Sequence, residues 1–236
     1  MNHAIGTLRE QGLHAALKLH LAQHGDRFEQ EVDGYQIDIL RGDLLIEVQT
    51  GNFSALRKKL GVLLEAHQVL LVHPIAAQKW IVRQDSRGRQ VARRKSPKRG
   101  RLENIFDELL YIPQVIQHPN FAFRAVLTEE EEVWRDDGRG SWRRKHWSIV
   151  ERRLLRVVAE TEFAGEQDYL GLLPATLKTP FTHKQLAQAL GVNTRQSTRV
   201  SYCLRKMGLL EEHSRQGREL LLAPVIASSQ ANEHTQ

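Results

Sequence analysis

The stretch Tyr35 to Thr50, YQIDILRGDLLIEVQT, alternates in a way that few architectures accommodate. In an extended chain successive side chains point to opposite faces, so Tyr35, Ile37 and Ile39 share one face and Gln36, Asp38 and Leu40 the other. After the turn signal Arg41-Gly42-Asp43 the pattern resumes, with Leu44, Ile46 and Val48 on one face and Leu45, Glu47 and Gln49 on the other. A tight connection makes the two strands antiparallel neighbours, and their apolar face is large enough to demand a helix packed over it. Asp38, Glu47 and Gln49 then converge on the opposite face. Two carboxylates brought together repel, and partial burial raises the cost of ionising both unless a cation holds them. Hard oxygen ligands favour magnesium or manganese. The alternative is a half-exposed hairpin whose outer face is polar for solvation alone.

The flanking sequence predicts the rest of a mixed α/β layer. Leu8, Leu13, Leu17 and Leu21 recur at helical spacing between Ile5 and His24, with Gly25 as the stop. Phe28 to Val32 forms a strand ahead of the hairpin, and Phe53, Leu56, Leu60, Leu63, Leu64 and His67 mark one face of a helix after it. Strands follow at Val69 to His73 and Lys79 to Arg83, and a helix at Leu102 to Leu110. The segment FAFRAVLTEEEEVW, then DDGRG and SWRRKHWSIV, reads as a hairpin. In it Arg143, Arg144 and Lys145 beside Trp142 and Trp147 grip a backbone, stack on a base, or only form an amphipathic strand. The run Glu129 to Glu132 reads as a solvated acidic strand edge, and Arg152 to Glu160 as helical.

Charge narrows the choice of partner. The chain has 236 residues, 34 Lys and Arg against 28 Asp and Glu, and a net charge of +6, which favours a polyanion, nucleic acid before an acidic membrane surface. The segment RQDSRGRQVARRKSPKRGR, residues 83–101, holds no acid after Asp85 and predicts a mobile basic loop, either solvated or a flap in which Arg93, Arg94, Lys95, Lys98 and Arg99 contact phosphates. No apolar run approaches the roughly 20 residues that span a bilayer, and the first residues lack a signal-peptide pattern, which predicts a cytoplasmic protein with no membrane partner. A single cysteine, Cys203, excludes a disulfide framework and a thiolate zinc site. No glycine-rich phosphate loop is present, which argues against an ATPase. His20 and His24 lie four apart but have no partner at zinc spacing.

Residues 182–224 carry a second supersecondary signal. Thr182 caps a helix with Gln185 three residues on, Leu186, Ala187 and Leu190 form its inner face, and Gly191 breaks it. A helix from Thr194 to Met207 keeps Val200, Leu204 and Met207 inward and presents Arg195, Gln196, Ser197, Arg199 and Ser201 outward, types that contact phosphates and base edges. Two short strands follow around SRQGR, with Arg215 and Arg218 in a basic wing. This segment resembles the winged helix-turn-helix family over its full length. The resemblance implies duplex DNA binding through Arg195, Gln196, Arg199, Arg215 and Arg218, or a protein-interaction module.

Asp38 followed by Glu47-Val48-Gln49-Thr50 resembles the PD-(D/E)XK nuclease superfamily, over about the first half of the chain. The resemblance implies a restriction-endonuclease-like mixed sheet flanked by helices. It further implies a magnesium or manganese ion held by Asp38, Glu47 and the Val48 carbonyl, and hydrolysis of a DNA phosphodiester. Many members add a glutamate on the preceding helix, a place that Glu10 matches, with Glu31 as its competitor. The pattern departs from the family at two points: no proline precedes Asp38, and Gln49 stands where lysine is usual, as in some restriction enzymes. A glutamine positions water by hydrogen bonding but brings no charge; Arg57 and Lys59, at the edge of the following helix, are either solvated or the source of that charge. The expected organisation is a nuclease-like domain over residues 1–160, a connector over 161–181, the winged helix over 182–224 and a disordered tail over 225–236. A homodimer is plausible for an enzyme that cuts both strands. The competing expectation is a non-catalytic DNA-binding regulator that keeps the nuclease-like core.

Overall fold

The computed structural model describes residues 12–225 and divides into two units, at Ala164 and Gly165. In the first, helix α1 (Leu13–Leu21) precedes three antiparallel strands, β1 (Arg27–Val32), β2 (Tyr35–Arg41) and β3 (Leu44–Val48). A 3-10 turn at Phe53–Leu56 leads into α2 (Arg57–Leu63), which returns the chain to β4 (Gln68–Gln84), parallel to β3. Strand β5 (Gln90–Lys95) folds back on β4; a 3-10 turn at Leu102–Ile105 and α3 (Phe106–Leu109) follow; β6 (Phe121–Arg135) lies parallel to β4, and β7 (Ser148–Phe163) closes the sheet antiparallel to β6. The main path of this seven-stranded mixed sheet is β1-β2-β3-β4-β6-β7.

Both faces of the sheet are covered near the hairpin. Leu13, Leu17 and Leu21 of α1 pack on Ile39, Ile46, Val48, Leu70, Val72 and Val126, the apolar stripe that the alternation requires. Phe53 packs edge-on against His73 and Phe123, and Leu56 of the same 3-10 turn and Leu60 and Leu63 of α2 are buried with it. Crossover through a helix is what joins the parallel strands β3 and β4.

Strand β4 unites two segments expected to be separate, and Pro74 lies within it. Gln49 N–H donates to Val72 C=O at 2.9 Å; the next rung of that ladder would need an N–H at residue 74, where proline has none. Pro74 is tolerated because β3 has ended beside it, and the Gln49 carbonyl accepts from His73 Nδ1 at 2.7 Å instead.

Four further expectations are corrected. Residues 83–101 form a β-hairpin and a pinned return: Ser96 N–H donates to Lys79 C=O and Gly100 N–H to Ala76 C=O, both at 2.8 Å. A side chain at Gly100 would put Cβ 2.6 Å from the Ala76 oxygen, so that close approach admits glycine alone. Residues 152–160 belong to β7, not a helix; register shifts along its pairing with β6 break the two-residue alternation and leave Leu154 and Val157 facing the core at a helix-like spacing. Glu130 and Glu132 are buried, because β6 is flanked on both sides and not an edge. The SWRRKH segment lies in the connection between β6 and β7, with a 3-10 turn at Trp142–Arg144.

In the second unit, α4 (Glu166–Leu170) occupies part of the expected connector, and α5 (His183–Leu190) and α6 (Thr194–Lys206) precede the β8 (Leu210–Gln216) and β9 (Glu219–Pro224) hairpin. Thr182 and Gln185 cap α5 reciprocally, and Asn193 Oδ1 accepts from Gln196 N–H at the start of α6. Phe181 bridges Leu222 antiparallel, adding a third short strand segment to the hairpin. Leu186, Leu190, Val200, Cys203, Leu204 and Leu222 fill the core between them. Among the described residues no helix is long and apolar enough to cross a membrane.

Candidate functional site

The register of the hairpin brings its carboxylates together. Ile39 pairs with Ile46 and Leu40 with Leu45, so extending the ladder by one residue sets Asp38 opposite Glu47. There the strands part, and the Asp38 side chain takes over the ladder: its Oδ2 accepts from Val48 N–H at 2.8 Å. The same oxygen lies 3.1 Å from His14 Nε2, and Oδ1 lies 3.5 Å from Lys18 Nζ, both residues being on α1. Burial raises the Asp38 carboxyl, but the hydrogen bonds from His14 and Val48 and the charge of Lys18 outweigh it and hold the group below its ordinary range.

Glu47 is treated differently. Its side chain is 12% exposed, and Lys59 Nζ of α2, itself 15% exposed, meets Oε1 at 2.7 Å. Oε2 is buried without a hydrogen-bond partner. Burial first, and the neighbouring Asp38 charge second, push the Glu47 carboxyl up against the opposing pull of Lys59 and, more weakly, of the Asp38 backbone N–H. A buried carboxylate oxygen left bare costs free energy unless something absent from the bare chain completes it.

Sequence reasoning left one group open, between a solvated edge and the source of the charge that Gln49 lacks, and missed another. Lys59 is drawn onto Glu47 and donates to Gln36 C=O at 2.6 Å, so it is not a solvated edge residue; helix periodicity gives the buried face but not which flank overhangs a sheet. Glu29 is the other. β1 pairs Phe28 with Ile39 and Gln30 with Ile37, which places Glu29 beside Asp38 and extends the row of carboxylates across three strands. Glu29 adopts a left-handed φ of 51°, and its carboxylate is ion-paired with Lys18. A residue that breaks the strand conformation leaves no alternation to read. Glu31 is exposed and pairs with Gln36, away from this row, and Glu10 lies outside the described residues.

Gln49 turns its amide Nε2 onto the Gly51 carbonyl, so that hydrogen and the site are not shared. His73, buried and held below its ordinary pKa by desolvation, fixes the Gln49 backbone; Glu108 fixes the loop beyond by accepting from Phe53 N–H at 3.0 Å.

The donor set suits a hard divalent cation. Asp38 and Glu47 provide carboxylate oxygens on adjacent strands, one of them buried and bare, with the Val48 carbonyl on the same strand. Among the described residues no three His, Cys, Asp or Glu side chains form a ready metal cluster, so among them protein ligation would rest on these two acids and a backbone oxygen.

The basic candidates separate by face. Antiparallel partners share a face, so Trp80, Lys95, Val82 and Arg93 lie together while Ile81 and Arg94 lie opposite. Arg93 pairs with Glu131 at 2.7 Å and lies 5.1 Å from the Trp80 ring, with Lys95 at 5.5 Å on the same ring. Lys98 and Arg99 are exposed on the pinned return. On α6, Gln196 is 8% exposed and Ser197 and Ser201 are buried, correcting their outward assignment: Asn193 caps the helix at Gln196, and the Ser197 hydroxyl lies 2.7 Å from His183 C=O. The outer surface carries Arg195, Thr198, Tyr202 and Lys206, with Arg199 half-buried; Arg215 and Arg218 are exposed at the β8–β9 turn.

A nonpolar layer on each side of a mixed sheet, with a carboxylate pair where β2 and β3 part, defines the first unit. It is also the part of the chain that a family model recognises: residues 11–164 match the family described as "Domain of unknown function (DUF8091)", and the chain belongs to that family. It is 34% identical over 219 residues, 92% of this chain and 86% of the other, to a Treponema pallidum (strain Nichols) protein described as "Uncharacterized protein". That likeness extends well into the second unit. No solved structure matches the chain.

Proposed function

We propose that the chain is a metal-dependent deoxyribonuclease of the PD-(D/E)XK type, with a winged helix as a second DNA-binding module. The observation that carries the proposal is the bare, buried Oε2 of Glu47 set against Asp38 at the parting of β2 and β3. Its support is the order of elements, helix, three antiparallel strands, crossover helix and parallel strand, which is the order that the resemblance implies for a restriction-endonuclease-like core. The helix-turn-helix and basic hairpin of the second unit support the DNA-binding half of the reading.

In this reading Asp38, Glu47 and the Val48 carbonyl hold a magnesium or manganese ion, which supplies the Lewis acidity that phosphodiester hydrolysis needs. Asp38 remains ionised because His14, Val48 N–H and Lys18 favour its charge. Lys59 provides the positive charge that Gln49 lacks, placed beside Glu47 where negative charge grows on a scissile phosphate. His73 and Glu108 keep the Gln49–Phe53 loop from drifting. Cleavage adds water across a P–O bond: the hydroxyl goes to phosphorus and the proton to the leaving oxygen.

A second reading, a DNA-binding regulator on a nuclease-like scaffold, is favoured by the Gln49 amide being spent on Gly51. The two separate in one assay: plasmid, linear, single-stranded and branched DNA incubated with magnesium, manganese or EDTA, wild type against Glu47→Ala. Metal-dependent cutting lost in the variant is expected. Binding of every substrate without cutting would establish the regulator.

A further inference from the structure

The connection between β6 and β7 is a hydrogen-bonded loop that leaves one tryptophan in solvent. Asp137 Oδ1 accepts from Arg139 N–H at 3.0 Å and from the Ser148 hydroxyl at 2.7 Å, closing the base of the loop. Gly140 N–H donates to His146 C=O at 2.8 Å, and His146 N–H to Ser141 C=O at 3.1 Å. The return passes so close that a Cβ on Gly140 would lie 1.8 Å from the Trp147 oxygen. Lys145 and His146 both take left-handed conformations, φ 51° and 66°, which non-glycine residues adopt at a cost. The two aromatic rings meet opposite fates. Trp147 is half-buried with Arg83 5.1 Å above it, whereas Trp142 is 74% exposed, with the Arg143 guanidinium 5.6 Å from its ring.

Burying an indole is among the larger gains available to a surface loop, and here the backbone is strained into a shape that forgoes it. A cover for Trp142 would be flat, able to stack, and anionic at its margin, because Arg143 lies beside the ring and Arg139, Arg143, Arg144 and Lys145 outnumber Asp136 and Asp137 along the loop. A nucleobase with its phosphate has both properties. A base inside a duplex has its faces occupied by its neighbours, so the ring has to meet one that is unstacked.

We infer that the β6–β7 tip is a stacking platform for an unpaired base, so that the preferred substrate is DNA with a single-stranded or branched segment. This rests on the nuclease reading above and names its substrate class.

The test uses the full chain and fluorescently labelled oligonucleotides: a blunt duplex, a single strand and a three-way branch. Trp142→Ala should weaken binding to the single strand and the branch by roughly 5- to 150-fold, the effect of losing one stacked base, and leave the blunt duplex unchanged. Trp142→Phe should restore much of the loss, and the single strand should quench the part of the tryptophan emission that Trp142→Phe removes. Equal affinity of wild type and Trp142→Ala for all three DNAs overturns the platform while leaving the nuclease reading intact. Failure of wild type to bind any of them overturns both, and partition of Trp142 into anionic vesicles instead of onto DNA overturns the platform alone.

Discussion

Two places in the same sheet bury a pair of carboxylates, and they do so in opposite ways. On β6, Glu130 and Glu132 are each 5% exposed. Thr128 donates to Glu130 at 2.5 Å; Glu132 receives Lys79 at 2.6 Å and the Trp134 indole N–H at 3.1 Å, with Arg152 at 3.7 Å. Where β2 and β3 part, Asp38 is saturated but Glu47 is not: among the described residues its Oε2 is the one buried carboxylate oxygen without a hydrogen-bond partner. The β6 pair leaves no buried oxygen bare, although burial pushes the Glu130 carboxyl up as it does that of Glu47. The hairpin pair leaves one buried oxygen bare, which the proposed cation would complete.

The largest expected effect breaks the comparison at Glu47. Glu47→Gln should lower metal-dependent cleavage on the order of 10²–10³-fold or more, as expected when a transition-state charge stabiliser is removed, measured under single-turnover conditions. Its stability should move the other way. Because folding raises the Glu47 carboxyl above its ordinary 4.5, ionisation works against the fold as pH rises from there; Glu47→Gln therefore gains stability relative to wild type with increasing pH, and the two converge in acid. Thermal melts from pH 4 to 8 without metal read this directly. The same substitutions at Glu130 or Glu132 should leave cleavage unchanged.

Lys59→Met sharpens the contrast further. It should cost cleavage about 10²-fold if Lys59 stands in for the lysine absent at position 49, while DNA affinity stays near wild type. Equal loss of affinity and rate would make Lys59 a binding residue. Asp38→Ala removes a charged acceptor from Val48 N–H and should destabilise the fold by about 1.5–3 kcal/mol at neutral pH. Asp38 is lowered on folding, so this loss shrinks as pH falls through the carboxylate range. The smallest effect lies in the second unit, where Thr182→Ala removes one half of a reciprocal cap and should cost about 1 kcal/mol in urea unfolding.

The residues explain why some of this was legible in the sequence and some was not. The hairpin could be read because its strands alternate strictly, and with them came the apolar stripe under α1 and the pairing of Asp38 with Glu47. Strand β7 was obscured by its register shifts, which space Leu154 and Val157 as a helix would. The acidic run at Glu129 to Glu132 looked solvated because composition does not reveal that β6 has neighbours on both sides. Lys59, Glu29 and the inward turn of Gln196 depend on where an element's flank meets another element, and no local pattern records that.

Direct titration of manganese into the full chain, following the free ion by its paramagnetic resonance signal, tests the central claim most directly. Saturable binding by wild type that is lost in Glu47→Gln and weakened in Asp38→Asn, with Glu132→Gln binding as wild type does, is the expected result. Absence of saturable binding by wild type, or equal binding by wild type and Glu47→Gln, would contradict the assignment of this hairpin as a cation site.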